Sequence, residues 1–205
     1  MLKPFRSTRS LFLAAAAFTL AACGDDPMAP ATDAAPRLGV LKGSALVKVL
    51  ERTPHLKETE SASLTISAKE GGTLSLPNSG LVVSVPAGAI RSGTLTITVT
   101  ATAGKSVAYD FQPHGTVFLK ALTVSQHLEK TTWKQLGSLK LYGGYYPEIL
   151  NDAAGTAVIT EAFPVRITTD SKKTSTFANF DIKHFSGYIV STGRADGEAN
   201  ASLEM

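Results

Sequence analysis

A single cysteine, Cys23, stands among 205 residues, so no internal disulfide can form, whatever the redox compartment. A membrane-spanning helix is also missing. The longest apolar run, Leu11 to Ala22, has twelve residues, where a helix crossing the bilayer needs about 20. The four histidines, His55, His114, His127 and His184, form no HxH or HExxH pair, so no metal ligand set is expected. GxSxG, P-loop, dinucleotide-binding and DxDxDG patterns are absent, and Asp110, Glu129, Glu148, Glu161 and Asp170 are scattered without pairing for acid–base work. Neither a conventional enzyme nor a cofactor is expected. Charge excess is lacking as well. The chain has 20 Lys plus Arg against 17 Asp plus Glu, and Lys3, Arg6 and Arg9 precede Cys23, which leaves 17 against 17. Without a clustered basic face, nucleic acid is not an expected partner.

What is present begins at the N-terminus. In "MLKPFRSTRSLFLAAAAFTLAAC" a basic stretch precedes the apolar run, the order of a secretory signal peptide. Leu20-Ala21-Ala22-Cys23 resembles a bacterial lipobox. That implies cleavage before Cys23, a diacylglycerol on its thiol and attachment to the membrane of a bacterial cell envelope, facing the periplasm or the cell surface. The alternative is an ordinary signal peptide with a stray cysteine. The expected plan is leader 1–22, a Pro- and Ala-rich flexible tether over 23–43, a weakly ordered lead-in over 44–60, one domain over 61–192, and a small, polar tail over 193–205. In the lead-in, "ALVKVLER" suits a short helix or an extended segment, and Pro54 ends either.

The domain has a period of two. "SASLTISA" alternates Leu64 and Ile66 with Ser and Thr. "GTLTITVTATA" sets Leu95, Ile97 and Val99 against Thr94, Thr96, Thr98 and Thr100, a suitable solvent face for a strand. Gly71-Gly72, Pro77-Asn78, Pro86-Ala87-Gly88, Gly104, Gly143-Gly144 and Asp152 to Gly155 mark turns. Short alternating strands with such turns specify an all-β, antiparallel β-sandwich. Pro86 should end the strand Leu81–Val85 for want of an N–H, and Gly88 should turn the chain so that Ala89-Ile90 returns to the core.

"EGGTLSLPNSGLVVSVPAGAIRSGTLTITVTA" (70–101) resembles the ZU-five domain, named for zonula occludens proteins and the uncoordinated-five netrin receptors. The likeness rests on Gly71-Gly72, Leu74, Leu76, Ser79-Gly80 and "VPAGAI" (85–90). "FQPHGTVFLKALTV" (111–124) is similar to that family's Pro-x-Gly turn and following strand, and "SLKLY" (138–142) to a later strand. It covers 61–142 well and the rest loosely. The resemblance implies a β-sandwich used as a protein-interaction module, with an envelope protein or polymer as the unnamed partner.

Two stretches carry candidate function. "YGGYYPEI" (142–149) offers Tyr142, Tyr145 and Tyr146 beside two glycines, a flexible aromatic loop fit for contact or a cap on the sandwich; Trp133 has the same two readings. In "DIKHFSGYIV" (181–190), His184-Phe185-Ser186 resembles the self-cleaving triplet of certain nuclear-pore proteins and of a death-domain protein with ZU-five modules. Carried over, Ser186 would attack the Phe185 carbonyl with His184 as base. Phe180 and Ile182 put even positions inward, yet Phe185 and Ile189 are odd, so a register shift is expected near Gly187. In a regular strand, residues 184 and 186 stand roughly 6.5–7 Å apart, too far for proton transfer. The favoured reading is a final core strand and an intact, non-catalytic chain. Self-cleavage is the second reading and an unrecognised hydrolase the third.

Overall fold

The computed structural model describes residues 39–137, 139–147 and 150–195. The leader, Cys23, the tether through residue 38 and the tail from residue 196 lie outside them, as do Ser138 and Glu148. Fifteen strands follow in chain order: β1 (Gly39–Val49), β2 (Glu51–Leu56), β3 (Glu60–Ser67), β4 (Gly72–Leu76) and β5 (Leu81–Val85) come first. Next are β6 (Thr94–Ala101), β7 (Gly104–Ser106), β8 (Ala108–Gln112), β9 (Val117–His127) and β10 (Tyr142–Tyr146). The last are β11 (Leu150–Asn151), β12 (Thr156–Pro164), β13 (Arg166–Thr169), β14 (Thr176–His184) and β15 (Gly187–Arg194). Two short 3-10 turns, Leu128–Lys130 and Thr132–Gln135, are the helical elements among the described residues.

The expected all-β class is what the chain adopts. Eight strands form one sheet in the order β1-β12-β10-β15-β8-β6-β3, with β11 attached to β12, and five form the facing sheet β13-β14-β9-β5-β4. β2 and β7 make a separate two-stranded ladder. The main core lies between the two larger sheets and holds Leu74, Leu76, Val83, Ile97, Val99, Phe111, Leu122, Val124, Phe180, Phe185 and Tyr188. Period-two patterning places these side chains. In β6, Ile97 and Val99 are buried and Leu95 packs partly against them, while Thr96, Thr98 and Thr100 bond Thr65, Ser63 and Ser61 across the outer face at 2.9, 2.7 and 3.0 Å. β5 ends at Val85 as expected, Gly88 takes φ +77°, and Ala89 returns to the core.

A second core was not foreseen. β1 pairs with β12 on one side and with β15 on the other, and β10 pairs with both β12 and β15. The four strands thereby close on one another around Ala45, Val47, Val49, Tyr142, Ala157, Ile159, Ala162 and Ile189.

This closure corrects several expectations. The lead-in 44–60 is ordered sheet: β1, β2 and the start of β3, with Val47, Val49 and Leu50 buried. The end of the expected tether, from Gly39, already belongs to β1. Pro54 lies inside β2 rather than ending it, because β2 meets β7 only at Glu51 and Leu56, and no ladder bond is asked of Pro54. Gly193 and Arg194, assigned to the tail, continue β15 opposite Lys48 and Val47. "SLKLY" contributes only Tyr142 to a strand; Leu139 is exposed and Leu141 buried ahead of it.

"YGGYY" is strand β10, held between β12 and β15, not a flexible loop. Its glycines serve packing. A Cβ on Gly143 would stand 1.8 Å from the Phe163 ring, and one on Gly144 would stand 2.9 Å from Ile159 Cγ2.

Candidate functional site

β9 runs from one end of the sandwich to the other, and its two ends differ in chemistry. At its start, His184 pairs with Val117 and the chain crosses from the five-stranded to the eight-stranded sheet through Phe185 and Ser186. This is the corner end. The parity change expected as a bulge at Gly187 is produced by that crossing. The irregular register falls between Ile182 and His184, while Gly187 pairs regularly with Asp110 and Tyr146. Ile189 is odd because β15 is buried on both faces: Tyr188 and Val190 enter the main core, and Ile189 enters the second one.

Backbone hydrogen bonds tie the corner down. Phe185 N–H donates to Thr116 (2.9 Å), Gly115 N–H to the Phe185 carbonyl (3.1 Å) and Phe111 N–H to the Ser186 carbonyl (3.0 Å). The Phe185 ring is buried against Phe118 and Phe111, with centroids 4.7 and 5.4 Å away. Edge-to-face and tilted ring contacts of this kind add to the area buried.

The His184 ring is turned to other partners. The Tyr188 hydroxyl donates to the His184 carbonyl at 2.7 Å, and its oxygen lies 3.1 Å from His184 Nδ1. Glu161 Oε2 stands 3.6 Å from Nε2, and the Tyr145 ring meets the imidazole edge-on at 5.2 Å. Burial first, and then the Glu161 carboxylate, raise the Tyr188 hydroxyl above its ordinary 10.0, so it stays a donor. Among the described residues no hydrogen bond joins His184 to Ser186. Backbone strain is not stored at the corner in left-handed form: among the described residues, Lys173 is the one non-glycine with positive φ. The triplet is built as a packed corner, with its histidine fixed by Tyr188 and Glu161.

The structure thus brings two separate sequence candidates together, since His184 of the triplet and Tyr145 of the aromatic stretch share one cluster. It does not make the expected contact surface. Tyr142 is 5% exposed inside the second core. Tyr145 and Tyr146 are half-buried, and Trp133 packs partly buried against the main core. Tyr146 lies across Gly187, where a Cβ would come within 2.8 Å of its ring. Burial first and Asp110 second push the Tyr146 hydroxyl up to about 12. His114 is exposed at its turn, 2.6 Å from Asp110 Oδ1. His127 Nδ1 sits 3.0 Å from Glu129 Oε2, within ion-pair reach but without hydrogen-bond geometry. His55 is exposed.

The other end of the sandwich, where β9 finishes, is a capped end built on groups that sequence reasoning passed over. Arg52 is buried. It donates to the Ala108 (2.9 Å) and Thr102 (3.3 Å) carbonyls and lies 5.1 Å over the Tyr109 ring. The Tyr109 hydroxyl donates to Gln126 Oε1, and Gln126 Nε2 donates to the Ser79 carbonyl at 3.1 Å. Burial raises the Tyr109 hydroxyl, and Arg52 offsets part of the shift. Carboxylates hold the loops here. Glu60 accepts from the Asn78 and Ser79 amides at 2.9 and 2.7 Å. Asp152 accepts from Ser106 at 2.8 Å and from Lys105 at 3.1 Å. Glu129 accepts from Thr176 at 2.9 Å, and Asp170 from Thr174 at 2.7 Å. Of the scattered carboxylates of the sequence, Glu129 and Asp170 are therefore loop caps, whereas Asp110 and Glu161 face His114 and His184. Only their neighbours in space reveal it, and no sequence spacing announces those.

No family model matches the chain, and no curated protein matches it. Among the described residues, no group of three or more His, Cys, Asp or Glu could hold a metal ion, and no helix is long and apolar enough to cross a membrane.

Proposed function

We infer that the chain is a lipid-anchored protein of a bacterial cell envelope, whose β-sandwich is a non-catalytic module for protein interaction or structural support. The observation that carries the reading is the order of the first residues: Lys3, Arg6 and Arg9, then an apolar run, then Leu20-Ala21-Ala22-Cys23, with the sole cysteine at the acylation position. Residues 24–38, rich in Pro, Ala and Asp, then lead to β1. The ZU-five-like motifs support an interaction module rather than an enzyme by what they build. "VPAGAI" forms the exit of β5, Ser79-Gly80 the β4–β5 turn, and Gly115 the turn before β9. The partner is an envelope protein or polymer.

Expression in a bacterial host with labelled fatty acid tests the anchor. The label should enter the chain and the protein should partition into detergent, and Cys23→Ala should abolish both. Label in the Cys23→Ala chain sinks the assignment.

A further inference from the structure

The most exposed large apolar side chains of the described surface are Val117 and Leu119, 75% and 58% exposed on the first residues of β9. Single exposed hydrophobics are ordinary; the position of these two is not. The described chain starts at Gly39, and Val40 pairs with Glu161. Glu161 meets His184 at 3.6 Å, and His184 pairs with Val117. The chain arriving from Cys23 therefore joins the domain at the corner end, where Val117 and Leu119 are exposed.

That end also carries cations. Leu119 N–H donates to the Ala89 carbonyl, Gly88 N–H to Ala68, and Ala68 N–H to Gly93, at 2.8, 3.1 and 3.1 Å. These bonds gather the loops around 67–72 and 86–93 beside β9. Lys69, Arg91, Lys120 and Lys183 are exposed there. Lys120 Nζ is held by the Ala87 carbonyl at 2.7 Å. Of the facing carboxylates, Glu70 is exposed, Asp110 is engaged by His114, and Glu161 by His184. An apolar pair with lysine and arginine at the same end is the composition that seats on an anionic bilayer surface, the aliphatic groups entering the headgroup boundary and the cations meeting lipid phosphates.

We propose that Val117 and Leu119, with Lys69, Arg91, Lys120 and Lys183, form a second, shallow contact with the membrane that holds the acyl anchor, so that the corner end faces the lipid and the capped end faces away. This rests on the lipid-anchor reading, which supplies the bilayer. A short tether favours such a contact by raising the effective concentration of the surface.

The test uses the full chain. Acylation blocks Cys23, so Val117→Cys or Leu119→Cys supplies the sole free thiol for a bimane label, and Lys172→Cys does so at the capped end. Each is also made in the Cys23→Ala chain, and fatty-acid incorporation is scored in parallel. The probe is a vesicle of phosphatidylethanolamine and phosphatidylglycerol carrying a nitroxide near the headgroup. Quenching at 117 and 119 should exceed that at 172 several-fold, and should fall when phosphatidylcholine replaces phosphatidylglycerol. An acylated chain with equal or absent quenching at 117 and 119 overturns the contact and leaves the anchor standing. A chain that takes up no fatty acid overturns the anchor; the Cys23→Ala chain on the same vesicles then decides the contact by the same comparison. A label immobilised at 117 in envelopes but unquenched on vesicles assigns the patch to a protein and overturns the membrane contact.

Discussion

Tyr109 and Tyr188 stand directly opposite each other on β8 and β15, yet their hydroxyls serve opposite ends of the sandwich. Tyr109 donates to Gln126 in a buried network of Arg52, Gln126 and Ser79. Tyr188 donates to His184 at the sheet-to-sheet corner. The capped end is held by charge-assisted bonds from backbone amides to carboxylates, and the corner end by aromatic packing and amide-to-carbonyl bonds. The same strand pair thus supports two kinds of stability, and the two should fail under different perturbations.

The largest effect is expected at the corner. Phe185→Ala removes a buried ring from the Phe111, Phe118 and Tyr188 cluster and should cost about 3–5 kcal/mol in denaturant unfolding. A cost near zero would mean that the corner is not packed as described. The paired tyrosines give the sharper contrast. Tyr109→Phe leaves Gln126 Oε1 without its donor in a fully buried place and should cost about 1–3 kcal/mol. Tyr188→Phe should cost less, because His184 is only half-buried and water can replace the lost donor. Equal costs would break the distinction between the ends.

Acid should separate them as well. Burial pushes the Asp152 carboxyl up, but bonds from Ser106 and Lys105 outweigh it and hold it below its ordinary 3.8. Burial likewise pushes Glu129 up, but bonds from Thr176 outweigh it and hold the carboxyl below its ordinary 4.5. Both groups have depressed folded values, so their contribution is present above the unfolded values and is lost as pH falls through the folded ones. Stability should therefore drop as pH falls below about 4.5. Relative to intrinsic rates, amide exchange should quicken first at Lys105, Ser106 and Thr176. Gly115 and Phe185 amides, which bond carbonyls, should keep their protection longer. Simultaneous loss at both ends would contradict the account. The smallest effect is expected on the outer face, where Thr98→Ala removes one exposed hydroxyl pair and should stay within about 0.5 kcal/mol.

The sandwich was legible because alternation is a local signal. β3, β5 and β6 could be read from Leu64, Ile66, Val83, Ile97 and Val99 alone, and Pro86 marked the end of β5. The second core was not legible, because it depends on β1 meeting β12 and β15 across more than a hundred residues. That closure buries both faces of β15, so Ile189 looked out of phase when it belonged to another core. It also turned Gly143 and Gly144 from a sign of flexibility into room for Phe163 and Ile159. His184-Phe185-Ser186 was visible as a triplet, but Glu161 and Tyr188, which set the direction of its imidazole, share no sequence pattern with it. Arg52 lay in the segment expected to be weakly ordered, and a lone arginine there carries no signal of burial.

The central claim, an acylated chain whose corner stays uncut, is tested most directly by the intact mass of the protein purified from the membrane fraction of an expressing bacterium. The account predicts one species that begins at Cys23, carries the added mass of diacylglycerol and ends at Met205. A species without lipid mass, or one that ends at Phe185, would contradict it.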